Sequence, residues 1–153
     1  MINTRESRNV IIGDNDIKTI LFRNFAGKPD DYHRDGQMPN FWVVLSDEKA
    51  HELEDQGFNI KWKPNRDGDE EGRLQIFVRF DPFPPKVYQI TTGGTTPLDQ
   101  ESIVALDFAE LVKVDLVLSP YRYEVNGRTG VKAYLGKGYF TIQEDEFSSQ
   151  YGY

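Results

Sequence analysis

The dipeptide Asn126-Gly127 lies between two runs of strand-forming residues, and it restricts the fold of this chain more than any other feature. Asn and Gly both tolerate the positive φ of a type I′ turn, so the backbone reverses direction within two residues. Before the turn runs Tyr121-Arg122-Tyr123-Glu124-Val125; after it, Val131, Ala133 and Leu135 alternate with Lys132 and Tyr134. A period of two sends alternate side chains to opposite faces of a strand. The second strand therefore sets an apolar face opposite one with Lys132 and Tyr134, and the first sets an aromatic face, Tyr121 and Tyr123, opposite a cationic one at Arg122.

The same period recurs along the chain. Residues 1–9 are polar and read as loose, and Val10-Ile11-Ile12 begins the apolar pattern. Strands are expected at 17–25, 41–45, 59–63, 74–80, 86–91, 112–118 and 139–142. In the 74–80 strand Leu74, Ile76, Val78 and Phe80 share a face opposite Gln75, Phe77 and Arg79. Pro120 marks an interruption, an edge or a bulge after the 112–118 strand. Long loops are expected at 27–40 and 64–72, a break at Asp81-Pro82-Phe83-Pro84-Pro85, and a turn at Gly93-Gly94. Ser46 can cap a helix over 46–56 by accepting an orphan amide, and Gly57 can end it. A second short helix is expected within 97–106. Seven or eight short strands with one or two short helices give an all-β class, an OB-like five-stranded barrel with additional strands. The expected organisation is a domain over 1–143 and an acidic, aromatic-tipped tail over 144–153.

Several function classes have little support. The chain has no cysteine, so disulfides and thiolate metal sites are out. No apolar run approaches the ~20 residues of a membrane span, and Met1-Ile2-Asn3-Thr4-Arg5-Glu6 lacks the apolar segment of a signal peptide. A soluble, cytoplasmic protein is expected. His33 and His51 lie far apart and read as structural or idle. No serine sits in a nucleophile-elbow pattern. Gly93-Gly94-Thr95-Thr96 lacks the spacing and the lysine of a phosphate loop. The acidic stretch 65–72 has oxygens for a hard cation, but its glycines and glutamates do not match an EF-hand, and it reads as a solvated turn. No catalytic residue, cofactor or metal is expected.

The net charge of −7 argues against a phosphate-binding protein. Its placement softens that argument. Asp67, Asp69, Glu70 and Glu71 form one acidic cluster and Glu144, Asp145 and Glu146 another, and these seven acids equal the whole net charge. The remaining body is neutral. Single-stranded nucleic acid is gripped by flat rings that stack on bases and by cations that follow the phosphates. Candidate rings are Phe77, Tyr121, Tyr123 and Tyr134, with Trp62 behind them; Trp42 and Trp62 are both common core residues. Candidate cations are Lys61, Lys63, Arg79, Arg122, Arg128 and Lys132. Any one such pair is ordinary strand composition, and the argument rests on recurrence across several strands. The rival reading is a phage or bacterial structural β-domain, a capsid or tail accessory protein, whose aromatics would serve packing or subunit contacts.

The stretch from Val114 to Leu135, which includes Ser119-Pro120-Tyr121-Arg122-Tyr123 and Gly130-Val131-Lys132-Ala133-Tyr134-Leu135, resembles bacteriophage-encoded single-stranded DNA-binding proteins. Asn40-Phe41-Trp42-Val43-Val44-Leu45, Gly57-Phe58-Asn59-Ile60-Lys61 and Pro84-Pro85-Lys86 are similar to them as well. The resemblance covers roughly residues 17–147. It implies an OB-fold, no catalysis, and binding of single strands with little sequence preference during phage DNA replication and recombination, in the cytoplasm of the infected host. It also implies that a tail such as Glu144-Asp145-Glu146-Phe147, followed by Tyr151 and Tyr153, recruits replication or recombination proteins and competes with DNA. The short Tyr-Gly-Tyr ending departs from the bacterial form of such tails. Pairing of edge strands between subunits, giving a homo-oligomer, stays open.

Overall fold

Alternation along the strands turns Phe41, Val43 and Leu45, then Leu74 and Ile76, then Leu116 and Leu118, and finally Val131, Ala133 and Leu135 toward one core. The computed structural model describes residues 9–144. Its strands are β1 (Val10–Ile12), β2 (Ile17–Asn24), β3 (Asn40–Leu45), β4 (Lys61–Pro64), β5 (Glu70–Phe77), β6 (Lys86–Thr91), β7 (Gly94–Leu98), β8 (Leu111–Val125) and β9 (Arg128–Ile142). One α-helix, α1 (Asp47–Asp55), and two short 3-10 turns (Asp14–Asp16 and Ser102–Asp107) complete it.

The sheet runs in the order β1-β8-β9-β5-β3-β2, with β4 added to β5 and the β6–β7 hairpin added to β9. β2, β3 and β5 form an antiparallel meander. β5 then lies parallel to β9, which pairs antiparallel with β8. A meander, a parallel step and a closing hairpin over β2-β3-β5-β9-β8 are the arrangement of a partly open five-stranded OB barrel, so the expected fold class holds, with four added strands. No ladder joins β2 to β8 among the described residues. Polar bonds cross that seam instead. Asp14 Oδ1 accepts from the Val114 amide and Asp115 Oδ1 from the Asp14 amide, each at 3.0 Å. Arg23 donates to the carbonyls of Leu106 (2.8 Å) and Ala109 (2.5 Å).

Inside, Phe25 stacks on Phe41 at 5.0 Å between centroids, and both meet Phe140 edge-on. Each such ring contributes ~1.5–3 kcal/mol of burial. The helix forms as its sequence implies. Ser46 Oγ accepts from the Lys49 amide at 3.3 Å, and Gly57 ends it at φ 98°. Ala50 and Leu53 are buried beneath it. Gly72 makes the docking close: a Cβ there would stand 2.6 Å from Cβ of Ala50.

Four expectations about elements change. β8 continues through Pro120 to the hairpin, because β1 pairs only with Leu116 to Leu118. Pro120 therefore faces an edge where its missing donor costs no ladder bond. β5 begins at Glu70, since Glu70 and Glu71 pair with Pro64 and Lys63 of β4. It ends at Phe77, after which the Val78 amide bonds to the Pro39 carbonyl. Pro97 belongs to β7 rather than to a helix, and the second helix is reduced to a 3-10 turn over Ser102–Asp107. Finally, 128–142 is one strand. It bears a bulge at Gly136, where Leu118 pairs with Leu135 and Val117 with Lys137.

Candidate nucleic-acid interface

Side chains that alternate away from the core gather on the outer face of β3, β5, β9 and β8. Register sets the rows. Trp42 pairs with Gln75, Phe77 with Tyr134, Tyr121 with Lys132, and Tyr123 with Gly130. These residues, with Asn59 and Lys61, line an open groove of about 450 Å³. The centroid of Tyr134 lies 6.1 Å from that of Phe77 and 6.1 Å from that of Tyr121, the latter edge-on at 87°. Cations sit among the rings. Lys132 Nζ is 4.4 Å from the Phe77 centroid and 5.9 Å from that of Tyr134. The Arg79 guanidinium lies 5.7 Å from the Tyr134 ring. A cation above a ring is held by the ring's negative face, so positive charge is fixed among the rings.

One ring position depends on a glycine. Tyr123 lies across Gly130, and a Cβ at Gly130 would come within 2.6 Å of the tyrosine oxygen and 2.7 Å of Cζ. The Asn59 amide donates to that oxygen at 2.7 Å and fixes the ring.

The loop between β2 and β3 is tied to the groove floor by amide side chains. Gln75 donates to Asn40 Oδ1 at 3.0 Å, Asn40 to Gln37 Oε1 at 3.1 Å, and Gln37 to Asp30 Oδ2 at 3.1 Å. Asp30 also accepts from the amides of Tyr32 and His33. The hydrogen bond from the His33 side chain, helped by those amides and Gln37, holds the Asp30 carboxyl below its ordinary value. The relay leaves Tyr32 at the loop tip 92% exposed.

The residues singled out from the sequence divide. Lys61, Phe77, Tyr121, Tyr123, Lys132 and Tyr134 come together in the groove, with Arg79 beside Tyr134. Lys63 shares the outer face of β4 with Lys61, and Arg128 shares that of β9 at the exposed hairpin tip. Two are not brought in. Trp62 turns toward α1, where its ring lies 4.7 Å from that of His51 and its indole donates to Glu54 at 2.8 Å. Arg122 alternates to the other side of β8, into a depression it shares with Lys49, Glu52 and Asp55. Of the tail residues, Glu144 accepts from the Thr92 amide at 3.1 Å and hydroxyl at 2.7 Å. Asp145, Glu146 and Phe147 lie outside the described residues.

Trp42, Asn59, Gln75 and Val125 also line the groove and were not singled out. Phe41-Trp42-Val43-Val44-Leu45 is apolar throughout, so composition hides that Trp42 alternates out of the core. Its register opposite polar Gln75 was the signal available. Phe22 is a further exposed ring, at φ 53° where β2 breaks register, with the Arg73 guanidinium 6.0 Å from its centroid. Among the described residues no cluster of acids and histidines could hold a metal ion, and no helix is long and apolar enough to cross a membrane.

A family model described as "Putative phage ssDNA-binding domain" matches residues 4–153. Among solved structures, the chain is similar to the single-stranded DNA-binding protein from bacteriophage Enc34 in complex with ssDNA. The TM-score is 0.56 at 12% identity, over 91% of this chain and 89% of that one. The C-terminal truncation of the Enc34 protein gives a TM-score of 0.54 at 11% identity, over 90% and 87%. At such identities the likeness is one of fold. No curated protein sequence matches the chain.

Proposed function

The chain belongs to the phage single-stranded DNA-binding domain family, and from that premise we propose that it holds a DNA strand in the groove over β3, β5, β9 and β8. Bases stack on Phe77, Tyr121, Tyr123 and Tyr134, and on Trp42 at the far wall. Lys61, Lys132 and Arg79 take the phosphates at the groove, with Lys63 and Arg128 at its margins. Trp62 and Arg122 have no part in this.

The observation that carries the reading is the convergence of Phe77 and Tyr121 on Tyr134, each ring centroid 6.1 Å from it, with the Lys132 ammonium 4.4 Å from the Phe77 ring and 5.9 Å from that of Tyr134. This occurs on the face where OB barrels take oligonucleotides. Every base has a π-face, so such a site tolerates any sequence. It suits a protein that covers and protects strands exposed in replication and recombination, in the infected host, without catalysis. The family assignment favours this over a capsid or tail accessory role. Tail residues 144–147 are proposed to meet replication or recombination partners.

A fluorescence titration with oligo-dT across salt concentrations tests the reading. Binding is expected to weaken steeply with salt. Lys132→Gln is expected to lower the slope of log K against log salt by about 0.7, the share of one phosphate on a single strand. Salt-insensitive binding, or an unchanged slope together with unchanged affinity in Lys132→Gln and Tyr134→Ala, overturns it.

A further inference from the structure

β9 is longer than the groove, and its bulge decides what its far half presents. Tyr134 faces outward and Leu135 inward. Strict alternation would then turn Lys137 and Tyr139 into the core. The extra residue at Gly136 shifts the phase by one. Gly138 and Phe140 become the buried pair, and Lys137 and Tyr139 emerge on the face that carries Lys132 and Tyr134.

The edge of β9 is shared in the same way. β5 pairs with it as far as Tyr134, and β6 pairs with it from Lys137 onward. Lys86 thus stands beside Lys137 and Tyr88 beside Tyr139. The two tyrosine rings are stacked, 5.2 Å apart and 16° from parallel. Lys137 Nζ lies 5.5 Å from the Tyr139 centroid. Its hydrogen bond with Tyr139 holds its pKa above the ordinary lysine value. Arg79, already beside Tyr134, leaves β5 in the segment that bridges to β6. The outer face therefore repeats its own chemistry five residues further along the strand, about 16 Å.

We infer that Tyr88, Tyr139, Lys86 and Lys137 form a second single-strand subsite, which takes the DNA after it leaves the groove past Tyr134 and Arg79. The inference rests on the groove being the primary site. Its ligand is the same polyanion with stackable bases: the two rings offer stacking surface and the two ammonium groups offer phosphate contacts. The barrel then binds strands longer than the groove alone can hold, within the roughly 4–16 nucleotides seen for one OB fold.

The test compares oligo-dT of about 4 and about 16 nucleotides, the two ends of that range. It uses the full chain and two double variants, Tyr88→Ala with Tyr139→Ala and Lys86→Gln with Lys137→Gln. Lys86 is exposed and Lys137 half-exposed, so the second pair changes charge without opening the core; circular dichroism checks both. Affinity for the long oligonucleotide is expected to fall about tenfold or more in the tyrosine pair. The lysine pair is expected to lower the long-oligonucleotide salt slope by about 1.4, two phosphates' worth. Short-oligonucleotide binding stays at the wild-type level in both. Wild-type affinity and slope for the long strand in both folded variants overturn the second subsite while leaving the groove intact. Failure of the unmodified protein to bind the short strand overturns the groove, and this inference with it.

Discussion

Gly130→Ala separates a stacking role for Tyr123 from a structural one. The added methyl would sit 2.6 Å from the tyrosine oxygen, 2.7 Å from Cζ and 3.0 Å from Asn59 Oδ1. All three are side-chain atoms, so the ring swings away and the 2.7 Å bond from Asn59 breaks. A partly solvated hydrogen bond of this kind contributes about 0.5–1.5 kcal/mol. Replacing glycine by alanine inside a strand returns roughly 0.5–1 kcal/mol of backbone entropy. These terms nearly cancel, and the melting temperature is expected to move by only a few degrees. Binding has no such compensation. If one base stacks on Tyr123, its loss costs about 1–3 kcal/mol, roughly a 5- to 150-fold rise in Kd. Fluorescence anisotropy with labelled oligo-dT, beside a thermal melt, reads both. Tyr123→Ala is expected to give a similar loss, and the double variant no further loss, because both changes remove the same platform. Gly130→Ala protein that melts and binds like the wild type refutes the reasoning: the ring would then be displaced without consequence for DNA.

Three more outcomes follow from the geometry. Quenching by oligo-dT of tryptophan fluorescence, excited where tyrosine does not absorb, is expected to vanish in Trp42→Phe and persist in Trp62→Phe, since of the two tryptophans only Trp42 lines the groove; the reverse pattern would place the strand over α1. Gly72→Ala is expected to destabilise the fold by about 1–3 kcal/mol in urea titration, because its methyl meets Ala50 at 2.6 Å, with binding by the remaining folded protein unchanged. The folded-state pKa of Asp30 lies below the ordinary value of 3.8, so its contribution to loop order is full above that value and fades as pH falls through the lowered one. NMR of the Tyr32 and His33 amides across that window should show the loop loosening, and Asp30→Asn should abolish the transition.

Much of this architecture is legible in the residues, and the gaps have physical causes. Asn126 and Gly127 take φ 53° and 79°, as the turn requires, and the alternation of 131–135 names both core and groove. The strand at 94–98 escapes notice because Gly94-Thr95-Thr96-Pro97 has no apolar alternation. It exists because β6 supplies a partner. Pro120 hides the continuity of β8, since only the short reach of β1 makes a proline harmless there. The site is readable where ring and cation alternate on one strand, as at Lys132 and Tyr134. Trp62 and Arg122 fall outside the groove, and composition alone does not say which face of a strand meets α1. Gly136 is the hardest case: a bulge is a property of the pairing, and alternation read straight through it would put Tyr139 on the wrong side.

The placement of β9 governs when the protein can come into being. It is the last strand described, yet β5, β6 and β8 all align on it. A chain still emerging from the ribosome has its meander and its β6–β7 hairpin but nothing to bind them together. Such long-range pairings are slow to form, and unpaired strand edges invite aggregation meanwhile. Synthesis must therefore pass residue 142 before the molecule can close, and chains stopped at residue 127 should stay susceptible to protease.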